Sequence, residues 1–159
     1  MTTEDKAMSA IVHYVNANRE DIDNGQDLPT NADLPIIVPN RTEKVGVKKI
    51  SLEVTDSDVA GGMIGSSNRD IDFDVVLQTP ARGKDKVATS DHKLWAGLLE
   101  CLLRNNSAFR TSVNSGTRDF NPFHAYRLYV ISAPPEPASK GKTLTTNITC
   151  RMICIPVDV

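Results

Sequence analysis

Aromatic residues are scarce. Phe, Trp and Tyr make up 5% of the 159 residues, with a single Trp. Surfaces that stack single-stranded bases need interleaved aromatics, and this chain has few to supply. Cysteine is equally sparse: Cys101, Cys150 and Cys154 form an odd set with no CxxC pair. That excludes a zinc knuckle and a disulfide-built scaffold. No apolar run approaches the roughly 20 residues of a membrane helix. The opening MTTEDKAMSA is acidic and has no apolar signal core. The expectation is therefore a chain that is not secreted, with reduced and buried thiols. A large excess of one charge is also missing, since the net charge is -2. Long-range attraction to nucleic acid has no basis in that balance. Glycine and proline, at 9 each, are too few for a collagen-like or low-complexity chain.

What is present fits one globular domain over 1–159, with 40% hydrophobic and 24% charged residues. Its charge is unevenly placed. Residues 1–43 hold eight acidic and three basic side chains, and the remainder twelve acidic and fifteen basic. The acidic excess gathers at Glu20, Asp21, Asp23, Asp27 and Asp33. A basic tip, Arg82, Lys84 and Lys86, stands elsewhere. Either stretch can be a solvated loop, and either can steer a partner of opposite charge.

Periodicity supplies the elements. Met8, Ile11, Val12 and Val15 share one helical face, which predicts a helix over 3–19 capped by Thr3. Ile36-Ile37-Val38, held between Pro35 and Pro39, reads as a short or edge strand. A strand runs from Val45 to Thr55, with a phase slip at Lys48-Lys49 that predicts a bulge. The next alternates Ile71, Phe73, Val75 and Leu77 with Asp70, Asp72, Asp74 and Gln78, and Pro80 ends it. Trp95, Leu98, Leu99 and Leu102 predict a core helix over 91–104, opened by Ser90 and ended by Asn105-Asn106. Two late strands, around Tyr126–Ile131 and Leu144–Val157, form a hairpin across a Pro-rich connection. The segments 20–34, 56–69, 79–90 and 106–122 read as long polar loops. The fold class expected is α+β: an antiparallel sheet of four or more strands with two helices packed on one face.

Catalytic patterns are thin. His13, His92 and His124 have no nucleophile or carboxylate at a diagnostic spacing and read as surface or boundary histidines. Cys150 and Cys154 face one side of a strand about 13 Å apart, too far to share one zinc. Asp70, Asp72 and Asp74 have the spacing of a calcium loop, but Ile71 and Phe73 between them want a core. Gly61-Gly62-Met63-Ile64-Gly65-Ser66-Ser67 lacks the lysine of a phosphate loop. The residues thus give no catalytic, metal or cofactor site. Long loops without such a site favour an assembly subunit over an enzyme.

The segment IDFDVVLQTPARGKDKVATSDHKLWAGLLECLL, residues 71–103, together with the hairpin from Tyr126 to Val157, resembles the tail-terminator (tail-completion) proteins of long-tailed bacteriophages. The likeness lies in the order of elements: a strand ending at Thr79-Pro80, a polar loop, and an amphipathic helix opened near Asp91-His92. It implies a non-enzymatic virion protein at the head–tail junction, made in the host cytoplasm and needing no cofactor. Such a subunit forms a homohexameric ring that ends tube polymerisation and contacts the tail tube protein and a head-side connector protein. Glu20, Asp21, Asp23 and Asp27 and the tip Arg82, Lys84 and Lys86 are the candidate contact residues. The rival readings are another head–tail connector or minor capsid component, a small enzyme using His92 or His124, and a nucleic-acid-binding accessory protein.

Overall fold

The computed structural model of the chain describes residues 2–19, 34–37, 48–59, 68–81, 86–115, 120 and 123–155. Helix α1 spans Thr3–Asn18. Thr2, one residue before the expected cap, closes it: its Oγ1 accepts the Asp5 N–H at 3.1 Å, and the Asp5 carboxylate accepts the Thr2 N–H at 3.1 Å. This reciprocal box satisfies amides that the first turn leaves without partners. Ala7, Met8, Ala10, Ile11, Tyr14 and Val15 form the buried face of α1.

Strand β1 (Ile36–Ile37) pairs parallel with β2 (Lys49–Val59), at the edge of the sheet. Strand β3 (Arg69–Pro80) follows, then helix α2 (Lys86–Arg104) and helix α3 (Asn106–Asn114). Strands β4 (His124–Ser132), β5 (Ala138–Lys140) and β6 (Thr143–Ile155) complete the chain. The sheet runs β1-β2-β3-β6-β4, with β5 also on β6, and every pairing except β1–β2 is antiparallel. The class is α+β. Among the described residues three helices accompany the sheet, one more than expected.

Register puts the apolar residues on one face. Leu52 lies opposite Val75, and Phe73 opposite Cys150. Ile71, Phe73, Val75 and Leu77 are buried with Ile148, Cys150, Met152 and Cys154. These sheet residues and the buried residues of all three helices form one cluster. The other face stays partly or fully exposed at each alternate position from Asp70 to Gln78 and from Thr145 to Ile155.

Several boundaries differ from the sequence reading, each for a local reason. Helix α2 begins at Lys86, so Ser90 lies inside it and does not cap it. Cys101 is exposed, against the expectation that all three thiols are buried, because it lies on the outer side of α2. Strand β2 continues through Asp56, Ser57 and Asp58, which had read as loop, and its bulge falls at Thr55, not at Lys48-Lys49. The segment after Asn105-Asn106 is helical. Asn105 does not only end α2; its Oδ1 accepts the Ala108 N–H at 3.2 Å and so caps α3.

Candidate functional site

The side chains singled out from the sequence as contacts fall outside the described set. Glu20, Asp21, Asp23 and Asp27 lie outside the described residues, as do Arg82, Lys84 and the glycine loop at Gly61–Ser67. The backbone of Lys86 opens α2, and its side chain lies outside the described set.

The open face of β2 and β3 gathers the largest described block of charge. Glu53 stands directly opposite Asp74, Asp56 opposite Asp72, and Asp58 opposite Asp70. Like charges facing across a ladder are destabilising by roughly 0.2–1 kcal/mol per pair. The bulge at Thr55 makes this possible, because its one-residue slip turns Asp56 and Asp58 onto the face that Glu53 already occupies.

Strand β6 answers the β3 carboxylates. Arg151 donates from Nε and Nη2 to the two oxygens of Asp72, at 2.5 and 2.8 Å. Thr149 Oγ1 and Asn147 Nδ2 donate to Asp74 at 3.0 and 3.3 Å. The bond from Arg151 holds the Asp72 carboxyl below its usual range, against a smaller opposing effect of burial. Asp70 keeps one buried oxygen, Oδ1, with no hydrogen-bond partner among the described residues. Glu53, Asp56 and Asp58, on β2, are exposed. The row of aspartates is thus not a calcium loop, since Asp70, Asp72 and Asp74 stand on the regular strand β3.

The β4 side of this face is different. Register shifts at Ala125/Arg127 and Val130/Ser132 push out one residue each, and Tyr126 and Ile131 are 41% and 49% exposed. Arg127 lies 5.1 Å from the Tyr129 ring centroid. The outer edge of β4 is closed by α3: Asn114 Nδ2 donates to Ala125 O, Ala125 N–H donates to Asn114 Oδ1, and Leu128 N–H donates to Asn106 Oδ1, each at 2.8 Å. Two asparagine side chains thereby stand in for a neighbouring strand.

His92 is not a surface histidine. It is 0% exposed. Its Nδ1 bonds Thr79 Oγ1 and its Nε2 bonds Thr146 Oγ1, both at 2.7 Å. Burial lowers its pKa from the ordinary 6.5. The odd parity of Thr79 on β3 and the even parity of Thr146 on β6 already place both hydroxyls on the core side; the signal missed in the sequence was that His92 shares the helical face of Trp95 and Leu99. His13 packs its ring 5.9 Å from Phe120, and His124 packs 4.9 Å from Tyr126.

Cys150 and Cys154 are free and buried on the same side of β6, and desolvation pushes both thiols up to about 12. They stay protonated at neutral pH and are poor nucleophiles. A cavity of about 90 Å³ lies between α2 and the Pro-rich connection, lined by Lys93, Ala96, Gly97, Pro134, Pro135 and Thr146 among others. Among the described residues no group of three or more His, Cys, Asp and Glu side chains could hold a metal ion. No helix among them is long and apolar enough to cross a membrane. Comparison with protein-family models and with curated proteins finds no match.

Proposed function

We propose that this chain is a structural subunit that assembles head to tail into a ring, a homohexamer at the head-proximal end of a phage tail tube. There it would end tube polymerisation, with the tail tube protein on one side and a head-side connector protein on the other. The placement in a virion rests on the resemblance in the order of elements. Assembly rests on the open face, and the observation that carries it is the set of three opposed carboxylate pairs, Glu53/Asp74, Asp56/Asp72 and Asp58/Asp70. A subunit that worked alone would gain stability by losing them. Their retention fits a surface completed by something cationic.

The charge has a direction that a head-to-tail contact can use. Strand β2 starts at Lys49, just after Lys48, and runs to Asp56 and Asp58. Strand β3 starts at Arg69, Asp70 and Asp72 and runs back to Gln78, opposite Lys49. The hairpin is therefore acidic at one end and basic at the other. Such a contact joins two unlike patches, and it closes into a ring when the rotation per subunit divides the circle. A nucleic-acid role has less support, because the acidic face would repel a phosphate backbone.

The test is the mass and shape of the purified assembly, with complementation of an infection lacking the wild-type copy. Rings that dissociate as salt rises, and loss of virions when Asp56→Lys and Asp58→Lys are introduced into a folded subunit, are the expected results. A strictly monomeric chain that turns over a substrate would refute the reading.

A further inference from the structure

We propose that His92 is an acid-released clasp, fastening the N-terminal half of α2 to β3 and β6 and letting it go when the imidazole takes up a proton. The two halves of this helix are held by different chemistry. Its C-terminal half is held by Leu98, Leu99, Leu102 and Leu103, all buried, and by Tyr14, whose hydroxyl donates to Leu102 O at 2.7 Å. Its N-terminal half packs only partly buried Leu94 and Trp95 against the core, and adds polar ties. His92 reaches Thr79 on β3 and Thr146 on β6, and Lys93 pairs with Glu136 of the β4–β5 connection at 2.7 Å. The cavity against the Pro-rich connection lies along this same half, with Thr146 in its wall.

The hydrogen-bond count makes the clasp depend on a neutral ring. A neutral imidazole has one donor and one acceptor. One threonine hydroxyl accepts from the protonated nitrogen and the other donates to the bare one. A second proton turns both nitrogens into donors, so the donating hydroxyl must rotate and find a new acceptor inside the core. The charge itself would have no partner, since both ring nitrogens end on hydroxyls. The charged groups on the surrounding elements do not supply one. Asp91 and Lys93 on α2, Arg127 on β4 and Lys142 before β6 are exposed. Lys48, before β2, sits over the Trp95 ring at 4.6 Å, and Asp74 of β3 is on the opposite face of the sheet, bonded to Asn147 and Thr149. An unpaired buried cation is strongly disfavoured, and release of this half of the helix to water relieves it.

The direction with pH follows. His92 has a lower pKa folded than its ordinary 6.5, so the clasped form binds fewer protons than the released form. Its holding power is complete above 6.5 and falls progressively as pH drops through 6.5 toward the depressed value. Tyr14, pushed up to about 12 by burial, does not change charge in that window, so the other half stays fastened.

Trp95, the single tryptophan, lies one turn from His92 and reports the change directly. The experiment follows Trp95 fluorescence and residue-resolved hydrogen exchange from about pH 7.5 to about pH 5, the window in which histidine titrates. Imidazole NMR of the wild-type chain assigns the titrating group. The expected result is a red shift of Trp95 emission with a midpoint below 6.5, the same midpoint as the His92 ring, and it is absent in His92→Gln and kept in His13→Gln with His124→Gln. Exchange, corrected for its intrinsic pH dependence, should rise in the N-terminal half of α2 and not over 98–104. A shift that survives in His92→Gln would overturn the proposal, and so would exchange rising along the whole helix or a His92 ring titrating at or above 6.5. Should His92→Gln fail to fold, the wild-type NMR midpoint and exchange pattern decide alone.

Discussion

Alternate residues of the same strands build two faces of opposite design. Along β3, Ile71, Phe73, Val75 and Leu77 enter the core, while Asp70, Asp72 and Asp74 between them stay on the open face. The core face settles its polar groups internally: Thr79, His92 and Thr146 satisfy one another within hydrogen-bond distance. The open face is built differently, although Asp72 and Asp74 have partners on β6. It opposes carboxylate to carboxylate three times and has Arg151 as the bidentate partner of only Asp72. A face whose charges are satisfied within the subunit is there for folding. A face with opposed like charges is the one on which the proposed assembly rests.

Substitutions on the two faces should therefore separate stability from assembly. The largest effect is expected at the core: Phe73→Ala should lower stability by about 3–5 kcal/mol in denaturant unfolding. A loss below about 1 kcal/mol would mean that the core is elsewhere. Next comes the guarded edge of β4. Asn114→Ala removes both bonds to Ala125 and should cost about 1–3 kcal/mol, with faster exchange at the Ala125 amide and increased aggregation.

The open face should respond more weakly. Asp72→Asn breaks a pair whose arginine is more than a third exposed, so the loss should stay below about 1 kcal/mol. The folded carboxyl of Asp72 has a lowered pKa, so its contribution exists above the ordinary carboxylate range and disappears as pH falls through the folded value. Acid unfolding of Asp72→Asn should accordingly be less steep than that of wild type. The smallest effect has the opposite sign. Asp56→Asn relieves an opposed pair and should raise subunit stability by a few tenths of a kcal/mol while weakening assembly. Stabilisation with assembly unchanged would break the contrast between the faces.

Much of this architecture is legible in the sequence. The period-two run from Asp70 to Gln78 is so regular that both faces of β3 can be assigned from it, and α1 and the Leu-rich half of α2 follow from helical spacing. What is hidden depends on contacts between distant residues. Asn106 reads as the end of the second helix and Asn114 as part of a polar loop, because their work is done on the amides of β4. Arg19 is only the last residue of the helix expected over 3–19, yet it is buried, with its guanidinium donating to Leu34 O and Asn16 Oδ1 at 2.8 and 2.7 Å. His92 looks ordinary until β3 and β6 bring Thr79 and Thr146 to its two nitrogens. Asp56 and Asp58 look like loop residues, since only the slip at Thr55 turns them to face Asp72 and Asp70. The contacts anticipated at Glu20, Asp21, Asp23, Asp27, Arg82 and Lys84 lie outside the described residues; the acidic β2–β3 face is the surface proposed in their place.

The central claim is that unlike charged ends of this subunit join head to tail. Sedimentation of the purified chain at low and high salt, beside the triple variant Arg82→Glu, Lys84→Glu, Lys86→Glu, tests it most directly. The account predicts a discrete wild-type ring at low salt. That ring should loosen as screening shortens to about 10 Å at 0.1 M and beyond, and the triple variant should be a folded monomer. A wild-type chain that sediments as a monomer at every salt, or a triple variant that forms the same ring, would contradict it.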